Sequence, residues 1–253
     1  MVFGNEQIFG SSGKGFYDYE IQNSLRIDYD TGDNNYLSGP SLSSASDTPF
    51  TFSLWLKRSA VSDFGASDNA NFLGVGNGNW YAGFKDDDTI RVLTGTGAGA
   101  ELSNSNTAFS DPTSWYHIHC TASSTASERK IHINGVELPL TTSAWGSAGM
   151  FVNGQSIEVG ASSSTNSGVN ICPGLYADVY GFYDRIIDYT NFGEFKQGIW
   201  IPKQYSSFTN SRDFFLEFKN SANLGLDSSG NGNNFTVNNI GTDHQTTDTP
   251  TFR

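Results

Sequence analysis

Apolar residues recur at every second position in short runs along the chain, and the clearest run is PFTFSLWLKRS, residues 49–59. Phe50, Phe52, Leu54 and Leu56 alternate with Thr51, Ser53, Trp55 and Lys57. Successive side chains of a strand point to opposite faces, so the first four are predicted inward and the others outward, on a strand central to its sheet. The same period marks residues 115–138, WYHIHCTASSTASERKIHINGVEL. Tyr116, Ile118 and Cys120 alternate with His117, His119 and Thr121, and Ile131 and Ile133 with Lys130, His132 and Asn134, across a Ser/Thr-rich loop. A β-hairpin is predicted, with one face buried and one wet, and Asn134-Gly135 supplies the next tight turn.

Further strands are predicted at residues 25–29, in NFLGVG, NWYAGFK and DTIRVLTG between the turn signals GNGN and KDDD, and in SIEVGAS. LYADVYGFYDRII, residues 175–187, is apolar on both faces and is predicted to be covered on both sides. FFLEFKN puts Phe214, Leu216 and Phe218 on one face. STNSGVNICP reads as a polar loop, and Asn191 to Gln197 as the one short helical turn. No amphipathic helical period runs long enough for a helix of ordinary length.

The prediction is therefore an all-β chain folded as a two-sheet antiparallel jelly-roll β-sandwich, with an N-terminal arm over 1–24, the domain over 25–240 and an extended tail over 241–253. Composition agrees, because 28 glycines, 19 phenylalanines and 11 tyrosines with 16% charged residues suit many short strands joined by polar turns. A formal net charge of −12 excludes nucleic acid as the main partner, since affinity for phosphates comes largely from clustered Lys and Arg. Two cysteines, Cys120 and Cys172, make no disulfide framework and are expected to be free. The N-terminus lacks a basic and apolar leader pattern, and no apolar run approaches the roughly 20 residues of a membrane span, so neither secretion nor membrane insertion is expected.

Several residue groups carry candidate chemistry. If Thr121 pairs with Lys130, His119 lies opposite His132 with His117 on the same face, a geometry that can hold zinc, although with no carboxylate to orient the rings, plain surface or groove histidines are the first reading. Asp30 and Asp33 in DTGDNNYL, and Asp227 in DSSGNGNN, lie in loops suited either to calcium or to plain turn chemistry. Aromatic and amide residues on loops suit sugars, because rings stack on aromatic faces while amides read hydroxyls. Asn79, Trp80, Tyr81, Trp145, Asn166 and Asn170 fit that pattern, with packing at the ends of the sandwich as the other reading of Trp80 and Trp145. Phe3, Phe9, Phe16, Tyr17 and Tyr19 make the arm more than a linker, and they are expected to pack on the domain or to serve assembly. Asp28, Asp30 and Asp33 are spaced like the paired carboxylates of glycan-cleaving jelly rolls, but Gly32 and Asn34 break the strand there.

The order of segments resembles a known series. SLRIDYDTGDNNYLS, FTFSLWLKRS, DDTIRVL, FSDPTSWYHIHC, KIHINGVEL, LYADVYGFYDRII, FGEFKQGIWIPKQY, FFLEFKN and LDSSGNGNNFTVNNI run from about residue 24 to near the C-terminus. The chain resembles the concanavalin A-like, laminin-G-like lectin/glucanase superfamily, and more narrowly the virion proteins of tailed, often marine, phages that carry this domain. The resemblance implies a non-enzymatic virion structural protein, a capsid decoration or fibre subunit. Its partners would be other virion proteins and its own copies, as a trimer, and it would be made in the host cytoplasm. An alternative is an adhesin module that binds host surface glycans. The glucanase branch carries an E-x-D-x-x-E strand motif that is absent here, so hydrolysis ranks last. No cofactor is required on this reading, calcium being the one ion the superfamily suggests.

Overall fold

The structure is a computed structural model that describes residues 15–30, 33–41, 49–59, 69–75, 80–94, 101–123, 125–141, 154–164 and 168–251. Two large antiparallel sheets face each other, as the period-two pattern requires. In the first, the strand Phe50–Arg58 lies between Tyr116–Ala122 and Gly174–Tyr183. Lys130–Ile133 and Val136–Glu137 extend it on one side, and Ser24–Ile27 and Gln245–Thr246 on the other, while Phe214–Leu216 also pairs with Gly174–Tyr183. The second sheet runs Thr236–Asn238, Tyr36–Ser41, Ser156–Val159, Asn69–Val75, Trp80–Lys85, Thr89–Thr94 and Glu101–Ala108.

The core fills the space between the sheets with the residues whose parity points inward. Phe50, Phe52, Leu54, Leu56, Ile118, Cys120 and Ile131 face Phe72, Trp80, Ala82, Phe84, Ile90 and Val92, all buried. Phe214, Leu216 and Phe218 join them, as their alternation predicts. Both cysteines are free and buried, and burial pushes their thiols up.

The first sheet carries a third layer on its outer face. Tyr180, Phe182 and Phe215 lie under Phe192, Tyr205 and Phe208, and Trp55 and Ala177 lie under Ile21 and Trp200. Gly174–Tyr183 is thus covered on both sides, as its apolar faces predict. The hairpin, by contrast, does not have the wet face expected of it: His117 and His119 are 0% and 1% exposed. The segment predicted as a helical turn is a 3-10 turn at Tyr189–Asn191 followed by the strand Gly193–Lys196, which pairs with Ile199–Pro202 through a Gln197-Gly198 turn with both φ positive. The polar loop of residues 164–173 also differs, because Ala161–Ser164 pairs with Gly168–Ile171.

Residues 21–25 and 245–251, far apart in sequence, are tied together. Gln245–Thr246 is an edge strand beside Ser24–Leu25, and the Thr251 hydroxyl accepts from the Ile21 N–H and donates to its carbonyl. Among the described residues no helix is long and apolar enough to cross a membrane.

Candidate functional site

The hairpin register is the one that places the histidines together: Thr121 pairs with Lys130 and His119 with His132. Their partners decide what they can do. The Trp200 indole N–H donates to His117 Nδ1 at 3.0 Å, and an indole can only donate, so Nδ1 is an acceptor and the ring proton sits on Nε2. Nε2 then donates to Ser53 Oγ at 2.9 Å. Burial holds this imidazole well below its ordinary range, so it stays neutral.

The zinc alternative at His117, His119 and His132 is therefore excluded by their partners. His117 has both ring nitrogens engaged inside the protein, and His119 uses Nε2 on the Ile187 carbonyl at 2.9 Å. Among the described residues no group of three or more His, Cys, Asp or Glu is placed to hold a metal ion. Burial lowers His119 to about 4 despite the Ile187 bond, and it lowers His132 too.

His119 and His132 instead form the floor of a cleft of about 450 Å³, within the range of small-molecule sites. Its floor is the outer face of the hairpin beyond the edge of the aromatic roof, and its wall is Ile186 to Tyr189. Thr51 on the central strand sets that wall, since its hydroxyl donates to the Arg185 carbonyl and accepts from the Ile187 N–H. Tyr189 stacks on His132, with ring centres 4.1 Å apart and planes at 20°.

Three carboxylates and one ammonium line the cleft. Lys130 pairs with Glu137 at 2.9 Å, and Glu128 accepts from the Ser123 hydroxyl at 2.6 Å. Burial pushes Asp188 up, but the Thr190 hydroxyl and N–H outweigh it and hold this carboxyl below its ordinary value. Of these residues, Lys130 and Glu137 were legible once the register was drawn, because the Asn134-Gly135 turn sets Glu137 opposite His132. Tyr189 and Asp188 come from about 55 residues further on, and nothing local in the sequence joins them to the hairpin.

Of the predicted sugar-binding residues the structure describes Trp80, Tyr81 and Asn170, and these do not share one face. Trp80 packs rather than binds: it is a core residue, 2% exposed, because its parity is that of Ala82 and Phe84. Tyr81 points the opposite way and is half-buried on the outer face of the second sheet. Burial raises its hydroxyl, and a hydrogen bond with Arg91 offsets this in part. Asn170 is half-buried in the hairpin with Ala161–Ser164. Asn79, Trp145 and Asn166 lie outside the described residues, as do Phe3 and Phe9.

At Asp227 the turn reading holds rather than the calcium one, and the carboxylate staples its loop. One carboxylate oxygen accepts from the N–H groups of Phe215 and Ser229, and the other from the Ser229 hydroxyl and the Asn233 N–H. The backbone of Asp30 and Asp33 pairs in a tight hairpin, and their side chains lie outside the description. Within the arm, Tyr19 packs with Ile21, Trp55 and Trp200 on its own sheet, and Tyr17 donates to the Pro250 carbonyl. Phe16 lies under the Lys196 ammonium at 5.8 Å, so all three described arm aromatics are used within the domain.

Tyr19 also meets Asp178, which sits at a bulge with φ of 45° where the register shifts between Ala177 and Tyr180. Burial pushes this carboxyl up to about 7, with the Tyr19 hydrogen bond opposing and the Glu217 charge adding to the rise. It is 3% exposed and does not line the cleft.

Two face-packed antiparallel sheets with a partly roofed outer face define a lectin-type β-sandwich. Residues 30–185 match the Laminin_G_3 model of the concanavalin A-like lectin/glucanases superfamily, and the chain belongs to that family. No curated protein matched the chain by sequence. Among solved structures, a candidate carbohydrate-binding protein from Bacteroides ovatus superposes with a TM-score of 0.63 at 15% identity, over 92% of this chain and 62% of that one. This chain thus spans less than two thirds of that relative's length. A heptameric pentraxin of Limulus polyphemus (TM-score 0.47, 10% identity, 64% of this chain and 77% of that one) and domains LG4-5 of the mouse laminin alpha1 chain (0.45, 13%, 64% and 41%) are more distant. At these identities the likeness concerns the fold.

Proposed function

We propose that the chain is a non-enzymatic carbohydrate-binding module and that the cleft over His119 and His132 is its sugar site. The observation that carries the reading is the combination in one cleft of an aromatic ring, Tyr189, with the side chains of Glu128, Lys130, Glu137 and Asp188. An aromatic face takes the apolar side of a sugar ring, and fixed polar groups read its hydroxyls.

The carboxylates support binding over hydrolysis. A glycosidase needs a carboxyl kept protonated beside the scissile bond. Glu137 is paired with Lys130 and Asp188 is held low, while the carboxyl that burial raises, Asp178, lies under Tyr19 away from the cleft.

A glycan array with the purified chain and Tyr189→Ala tests the reading. Binding should weaken about tenfold in the variant, equivalent to about 1.4 kcal/mol, with its circular dichroism spectrum unchanged. Sugar binding needs no metal on this reading, so a chelator should leave it intact. Absence of binding, or binding indifferent to Tyr189, would refute the assignment.

The setting we propose for the module is the surface of a virion, as a subunit that also contacts its own copies and other virion proteins. Support comes from the series of sequence segments that resembles phage virion proteins. Mass spectrometry of purified particles should find the chain among their components, and light scattering should give a trimer.

A further inference from the structure

We propose that the cleft selects sugars by charge: it takes rings that carry no anionic group and prefers amine-bearing rings to acidic ones. The inference rests on the reading of the cleft as a sugar site. Its lining carries Glu128, Glu137 and Asp188 against the single ammonium of Lys130. Lys130 is committed to Glu137 at 2.9 Å, which leaves Glu128 and Asp188 uncompensated.

The neighbouring cations do not restore the balance. The Arg129 side chain donates to the Ser123 carbonyl, and the Lys203 ammonium to the Thr190 carbonyl; neither lines the cleft. The two histidines add no positive charge near neutral pH, since both are buried on the sheet face beneath Tyr189 and Phe192. His119 and His132, which both line the cleft, also each keep a buried Nδ1 without a hydrogen-bond partner. A carboxylate or sulfate on a bound ring would meet two like charges and no free cation, whereas a ring ammonium would meet two carboxylates. The formal net charge of −12 works in the same direction at longer range.

The test is a titration of three probes of equal length, oligomers of glucosamine, N-acetylglucosamine and galacturonate, at about pH 6, where the ring amine carries its proton and His119 is neutral. The glucosamine oligomer should bind about threefold to fivefold tighter than its acetylated counterpart, and galacturonate weakest. Raising the salt concentration should shrink that ratio toward one. Glu128→Gln, whose amide oxygen still accepts from Ser123, should narrow the gap between the amine and acetylated probes. Galacturonate binding as tightly as the other two would overturn the charge selection while leaving the sugar site standing. If no probe and no array glycan binds, the sugar site itself falls, and the selection with it.

Discussion

The outer faces of the two sheets began with similar alternation and ended in different states. On the second sheet, Tyr81, Lys85, Arg91 and Asn104 point outward and stay half-buried, with Arg91 bonded to Asn104. On the first, Thr51, Ser53, Trp55, His117 and His119 also point outward, yet each is 5% exposed or less. The difference is the layer formed by Ile21 and residues 187–208. It converts a polar face into an interior, so every polar atom there needs a partner within the protein. Ser53, His117 and Trp200 supply one another, and Thr51 binds the chain that crosses above it. Where that layer stops, the same face becomes the floor of the cleft.

The largest effect expected from breaking this contrast is at Trp200. Trp200→Ala removes the roof and leaves His117 Nδ1 without its donor, and should cost about 3–5 kcal/mol in urea unfolding. Tyr81→Ala on the half-buried outer face of the second sheet should cost less, about 1–2 kcal/mol. Equal costs would show that the two faces are energetically alike.

Acid should reveal the roofed face next. His117, His119 and His132 are held below the ordinary 6.5, so the unfolded chain binds more protons than the folded one. Their contribution is fully present above about 6.5 and is lost as pH falls toward about 4, by an amount on the order of a few kcal/mol. Asp178 has the opposite sign. Raised from 3.8 to about 7, it favours the folded state below 3.8, and that advantage disappears as pH rises through about 7. Melting temperatures across this window should show Asp178→Asn gaining on the native chain as pH rises, and a constant difference would contradict the buried carboxyl.

A smaller effect should separate the wall of the cleft from its floor. Thr51→Val keeps the shape but removes both bonds to the 185–187 backbone, at a cost of about 1–3 kcal/mol. Sugar affinity should fall although Thr51 lies behind the wall it holds, and an unchanged affinity would mean that the wall positions itself. Least of all, Lys219→Ala should change stability by no more than about 0.5 kcal/mol, since the ammonium it removes is exposed and pairs with Glu217 two residues before it.

Much of the sandwich was legible from alternation. The central place of Phe50–Arg58, the hairpin register with His119 beside His132, and the double cover of Gly174–Tyr183 all follow from side-chain parity and from which faces are apolar. Trp80 shows the same rule at work: of its two readings, sugar contact and packing, its spacing from Ala82 and Phe84 decides for the core. Gly193–Lys196 was misread because Gln197-Gly198 is a weak turn signal, and only pairing with Ile199–Pro202 makes the segment a strand. Turn chemistry at Asp227 was legible in DSSGNGNN, but not that one of its partners is the N–H of Phe215, twelve residues earlier.

By itself, then, the sequence determined the strands, their inward faces and the hairpin that brings two histidines together, because these depend on a period of two and on short turns. Only the tertiary structure decided that the outward face would be roofed, that His117 would be sealed by Trp200 and that Tyr189 would close a cleft over His132. Alternation tells a residue which side of a sheet it occupies. What lies across that side is set by chain segments distant in sequence, whose approach depends on the packing of the whole molecule.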